Sequence, residues 1–264
     1  MQEKIKLKRI TTAQRIKKIT FILLFIIVTA VTMSYVNFNI IELIFSLPVF
    51  VSFLWDNFLP PDFSEFPHFI MPLINTIFIS IIATTIASTF AMVAAFLMAR
   101  TTTPHPVVRN IVRGIVTFFR SVPFLLWAAI SVIILGVGLL PGIVGLTLFG
   151  GAFLARVYAE SIEEIDPETV EAVSSTGASY VHILKHAILP QFLPSFYSWT
   201  LFMFEINIRA SAILGIVGAG GIGVLIKETM DMFNYAQTGM ILLMMVVMIL
   251  CIEYVTTKLR ARLI

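Results

Sequence analysis

Charged residues fall in clusters along this chain and leave long intervals without any. No Asp, Glu, Lys or Arg occurs from Ile19 to Ile41, from Phe66 to Ala99, from Ser121 to Ala155 or from Met232 to Ile252. A helix rises about 1.5 Å per residue, so about 20 apolar residues cross the hydrocarbon core of a bilayer. Each interval meets that length. The interval 121–155 is too long for one span and is broken by GVGLLPG at 136–142, which reads as a tight turn between two helices. From Pro190 to Gly215 the chain is apolar except for Glu205 and Arg209. The pattern predicts six helices, near 19–38, 69–99, 115–137, 142–161, 192–215 and 236–257.

Composition sharpens this into an all-α integral membrane fold. Of 264 residues, 58% are hydrophobic and 12% charged, with a mean hydropathy of +0.97, against about 25% charged in soluble domains. Much of the surface must therefore face lipid. The first apolar run is longer than the roughly 7–15 residues of a signal-peptide core, so it is expected to stay as a first helix. Cys251 is the single cysteine, which excludes an intrachain disulfide. The net charge of +3 is a topology signal and gives no reason to expect a nucleic acid.

Basic residues sort to one side of the predicted spans. Lys4, Lys6, Lys8, Arg9, Arg15, Lys17 and Lys18 precede the first, Arg100, Arg109 and Arg113 come after the second, and Lys258, Arg260 and Arg262 come after the sixth. The 39–68 connection has no Lys or Arg but carries Glu42, Asp56, Asp62 and Glu65. The positive-inside rule places both termini in the cytoplasm and 39–68 outside. An interfacial helix is expected at ELIFSLPVFVSFLW, where Trp55 suits the headgroup boundary. The division is residues 1–68, holding the basic terminus, first helix and external linker, and residues 69–264, a five-helix core.

VGAGGIG at 217–223 has the G-x-G-x-x-G spacing of a dinucleotide-binding turn. That turn needs a preceding strand and a βαβ unit, and the segment instead comes after a membrane helix. Gly215, Gly218, Gly220, Gly221 and Gly223 are expected to let helices approach closely or to unwind beside a pathway.

The segment ESIEEIDPETVEAVSSTGASYVHILKHAILP at 160–190 is polar, acidic and on the predicted cytoplasmic side. Asp166 then Pro167 is a helix start, and Glu168 and Glu171 suit the positive end of its dipole. Gly177 supplies a turn, and YVHILKHAIL is expected as a second short helix ending at Pro190. EAV at 171–173, Gly177 and LP at 189–190 resemble the EAA loop of ABC importer permeases, with Val173 for an alanine and Ala187 for an isoleucine. RSVPFLLWA at 120–128, AESIEEIDPETVEAVSSTGAS at 159–179 and LFMFEINIRASAILGIVGAGGIG at 201–223 resemble the phosphonate ABC transporter permease, over most of residues 60–262.

The resemblance implies a type I ABC importer permease fold in a prokaryotic cell membrane. It implies a homodimer, two separate ATPase subunits and an extracytoplasmic substrate-binding protein. Asp166, Glu168, Glu171, Ala172, Gly177 and Ala178 would belong to the ATPase-coupling loop. This chain would bind no cofactor or metal, ATP and Mg being held by the ATPase, and it would itself be no enzyme. Phosphate, phosphite or another small anion are the alternative cargoes.

Two charges fall inside the fifth span. Glu205 lies 11 residues past Pro194, about 16 Å along a helix and near the middle of a core about 30 Å thick. One such charge costs about 2.5–3.5 kcal/mol at that depth, so the shared face of Glu205 and Arg209 is expected to turn toward protein or a water-filled cavity. Two readings stand: a structural tie to a neighbour, or a pathway in which Glu205 holds Arg209 to attract an anion, joined by Asn207 and Ser211. Arg120, before SVP, is an interfacial arginine or a gate contact. His182 and His186 lack the Glu of H-E-x-x-H and a third ligand. An intramembrane enzyme would need a nucleophile with a base or a metal cluster in a span, and an uncoupled channel leaves the acidic loop unexplained.

Overall fold

The computed structural model describes residues 12–263 and is helical nearly throughout. Lys4, Lys6, Lys8 and Arg9, four of the basic residues behind the expected topology, lie outside the described residues. The chain divides into a unit up to Asp56 and a unit from Asn57 onward.

The first unit holds α1 (Thr12–Tyr35) and all but the last two residues of α2 (Ile40–Phe58). Asn37, at a positive φ of 54°, turns the chain between them, and the Asn39 side chain accepts from the Ile41 N–H at 3.0 Å, starting α2. The interfacial helix expected at 42–55 is thus longer: 19 residues, with the length and apolarity to cross a membrane.

The second unit contains α3 (Phe66–Met98), α4 (Pro106–Ser121), α5 (Phe124–Leu135), α6 (Leu139–Glu163), α7 (Pro167–Ser174), α8 (Tyr180–Ile183), α9 (Leu189–Ile216), α10 (Ile222–Asp231) and α11 (Tyr235–Leu263). Its linker is pinned at one end: Asp62 N–H donates to the Ala236 carbonyl at 3.1 Å, and a Cβ on Gly239 would come 2.5 Å from the Phe58 carbonyl oxygen. The Ser64 N–H on the Asp62 carboxylate, at 2.9 Å, holds that carboxyl below its ordinary range.

Small residues build the centre. Ala83, Ala87, Ala91 and Ala95 recur every fourth position on α3 and are fully buried, and Gly151 of α6 meets the Ala87 backbone. Such a stripe lets backbones approach where lipid gives no hydrophobic drive between helices. Beside it on α3 runs a line of buried hydroxyls, Thr76, Ser80, Thr84 and Ser88. Each donates to a carbonyl of its own helix, at Pro72, Thr76, Ser80 and Thr85, over 2.7–3.0 Å.

Two further expected elements differ from the structure. The span predicted at 115–137 is a helix pair, α4 and α5, bent by 85°. Val122 is extended, with ψ 124°, because the ring of Pro123 disfavours helical backbone in the residue before it. α4 also starts earlier than expected, at Pro106, and carries Arg109, Arg113, Thr117 and Arg120 at three- and four-residue spacing, the pattern of an amphipathic helix. Among the described residues six helices are long and apolar enough to span, α2 among them, and the bent pair would make a seventh.

The second difference concerns Pro190, which does not end a helix. From Tyr180 the helix runs through a π-helical turn at Leu184–Ile188 directly into α9, an element of 37 residues. Proline removes one backbone donor and crowds the carbonyl four residues earlier. A wider π turn at that point accommodates both, so the helix continues.

Candidate functional sites

The α7 loop is built locally. Asp166 accepts from the Glu168 N–H at 3.0 Å and Pro167 occupies the first turn. Glu168, Glu171 and Ala172 are exposed, and Ala178 is half-buried. Gly177 closes the helix at φ +79°, with nothing within 4 Å of a Cβ placed there. Backbone handedness alone asks for glycine at this position. Val170, Ile165, Ile183 and Leu184 seat α7 against the main apolar core. His182 and His186 are exposed and stacked, ring centroids 6.1 Å apart, with Ser179 on His182 Nδ1 at 2.8 Å. No metal-ligating cluster of three or more side chains occurs among the described residues.

Both roots of this loop are bonded to the α3–α4 connector, which the sequence did not signal. Glu163, the last residue of α6, accepts from the Arg100 N–H and from Arg113 Nη2, each at 2.7 Å. Arg113 Nε also donates to the Met98 carbonyl at 3.1 Å. On the other side, the Tyr180 hydroxyl donates to the Thr102 carbonyl. These partners lie 50 to 78 positions apart in the chain, beyond any local pattern.

At the opposite end of α9 the glycine turn is tightly enclosed. A Cβ on Gly223 would overlap the Ala212 carbonyl, and one on Gly215 would overlap the Gly223–Val224 backbone. A Cβ on Gly221 would come 2.8 Å from Thr76 Oγ1 and one on Gly220 2.6 Å from Leu139 Cδ2. Gly218 gives its carbonyl to the Gly138 N–H at 3.1 Å, and Thr76 accepts from the Ile222 N–H at 2.8 Å.

Glu205 and Arg209 do not pair. Glu205 accepts from Arg260 Nη2 at 2.9 Å and from the Thr256 hydroxyl, both on α11, and its side chain is 11% exposed.

Arg209 is exposed and makes no ion pair or hydrogen bond among the described residues; it lines a small recess with Glu205, Ile208, Ile249, Ile252 and Glu253. Asn207 and Ser211 lie elsewhere. A two-residue step turns a helix by about 200°, and both are buried, Asn207 Nδ2 donating to Thr84 on α3 at 2.8 Å. Asn207 Oδ1 is buried without a partner. Arg120 is exposed at the end of α4, at the bend.

Residues 91–264 match the family of binding-protein-dependent transport system inner membrane components. The chain belongs to this family. It is a multi-pass permease subunit of an ABC importer. It is 39% identical over 202 residues to a phosphite transport system permease protein of Stutzerimonas stutzeri, covering 76% of this chain and 74% of that one. It is 36% identical over 207 residues to a phosphate-import permease protein of Mycolicibacterium smegmatis, covering 78% of this chain and 39% of the relative's length. In fold it is similar to the inward-facing methionine ABC transporter, with a TM-score of 0.66 at 22% identity, over 74% of this chain and 96% of that one.

Proposed function

We propose that this permease carries a small phosphorus oxyanion, of the phosphonate and phosphite class, inward across the cell membrane. The observation that carries this reading is the identity of 39% over 202 residues and 36% over 207 residues to permeases named for phosphite transport and phosphate import, against 29–32% over 116–147 residues to those named for methionine. Both termini face the cytoplasm, and so does α7. Two copies of the chain form the pathway, two ATPase subunits bind beneath, and an external binding protein delivers the anion. ATP and Mg are held by the ATPases, and this chain binds no cofactor.

The exposed carboxylates of Glu168 and Glu171 and the slim surface at Ala172 are what the ATPase grips. Arg209, a guanidinium suited to planar oxyanions and without a protein partner among the described residues, is the side chain that meets the anion. Glu205 acts differently: it ties α9 to the basic end of α11.

The test is ATP hydrolysis by the permease reconstituted with its ATPase and binding protein, titrated with methylphosphonate, phosphite and inorganic phosphate. Stimulation by one of them, lost in Gly177→Asp, supports both cargo and coupling. Hydrolysis indifferent to all three removes the oxyanion assignment.

A further inference from the structure

We propose that the α3–α4 connector, residues 99–105, is the transmission element of this permease, and that Glu163 and Tyr180 are the positioning residues that drive it. The inference rests on the reading of α7 as the helix an ATPase grips, and adds the route by which its displacement reaches the spans.

Glu163 ends α6 and Tyr180 begins α8, so these two residues are the roots of the loop bearing α7. Both bond to the main chain of one short connector, Glu163 at the Arg100 N–H and Tyr180 at the Thr102 carbonyl. Bonds to backbone atoms hold the path of the chain itself, whereas bonds to side chains can swing away. The connector is internally stiff as well. Thr102 is 1% exposed and its hydroxyl donates to the Phe96 carbonyl at 2.8 Å, while Thr103 N–H donates to the Ala99 carbonyl at 3.0 Å. Arg113 adds a brace, joining Glu163 to the Met98 carbonyl at the end of α3. A push on α7 is thereby delivered at two points to the segment where α3 stops and α4 starts.

The helix beyond the connector is a rigid element, packed on the core through Val112, Val116 and Phe119, and the Trp127 indole N–H holds the Phe119 carbonyl across its far end at 3.1 Å. α4 ends at the Val122–Pro123 break, where no continuous helical hydrogen bonding crosses the 85° bend. α5 beyond it is held on α6 by a close approach, Gly145 lying where a Cβ would come 2.8 Å from Ala128 Cβ. α4 is then a lever with its driven end at the connector and its hinge at Pro123. Coupling between distant sites is carried by such chains of rigid elements and bonded contacts.

Tyr180→Phe removes one hydroxyl and Glu163→Gln removes one charge, each with little change of volume. The permease is reconstituted with its ATPase and binding protein, and anion imported per ATP hydrolysed is measured with whichever of methylphosphonate, phosphite or phosphate stimulates the wild type. Each single variant is expected to hold the ATPase and hydrolyse ATP within about twofold of wild type, while import per ATP falls about fivefold, and further in the double variant. Import and hydrolysis falling in equal proportion, or an unchanged ratio in both variants, would overturn the proposal and leave these bonds as structural ties. Failure of the ATPase to co-purify with the wild-type permease removes the α7 docking reading itself, a result distinct from either.

Discussion

The turns flanking the continuous helix from Tyr180 to Ile216 both use left-handed glycines and are opposite in construction. At one end, Gly215, Gly220, Gly221 and Gly223 lie where added Cβ atoms would strike backbone or neighbouring side chains. At the other, Gly177 has the same left-handed backbone and open space around it. The first turn is glycine-rich because three segments meet there. The second needs one glycine for the sign of φ and otherwise leaves its side chains outward. Four acidic residues, Glu164, Asp166, Glu168 and Glu171, are exposed beside it.

Substitutions can break this contrast or sharpen it, and their effects on stability should descend in order. Gly223→Val comes first, because the overlapped atom is the main-chain oxygen of Ala212 and cannot rotate away. More than about 3 kcal/mol is expected, read as loss of monodisperse protein in detergent; a well-folded variant would show the turn to be slack. Glu205→Ala is next, leaving Arg260 and Thr256 without their shared acceptor. About 2 kcal/mol should appear as a lower thermal midpoint, with Glu205→Gln milder. Gly177→Ala should cost about 1 kcal/mol from backbone strain alone, with no loss of folded yield. Glu171→Ala should leave stability within about 0.5 kcal/mol yet weaken ATPase binding at least about tenfold, an expectation read by co-purification. An equal destabilisation by Glu171→Ala and Gly223→Val would erase the distinction between the two turns.

Features governed by neighbouring residues were legible in the sequence. Asp166–Pro167 caps α7 as its order implies, and GVGLLPG separates α5 from α6 because its glycines and proline act locally. Helix count was legible only in outline, since the apolar run hid the break at Pro123 and the charge pattern made α2 look shallow. Pro190 misled in the opposite direction, because a π turn is a compensation that no residue type announces. Partners of charge were the least legible. The i,i+4 spacing pointed Glu205 toward Arg209, whereas Arg260, 55 positions away, arrives only through packing. Glu163 carried no signal at all, being one of several acids in an acidic stretch.

The hydroxyl line on α3 has a consequence for how the chain is made. A serine or threonine that donates to its own helix presents little unmet polarity to lipid. With Thr76, Ser80, Thr84 and Ser88 each satisfied in that way, α3 can enter the bilayer as a lone helix before any neighbour is synthesised. Asn207 has no such self-sufficiency. Its amide finds its donor's partner only on Thr84, 123 residues earlier, so the later helix is the one that must wait for the earlier. Assembly of this permease therefore has a built-in direction, with α3 serving as the fixed post against which the rest of the bundle is hung.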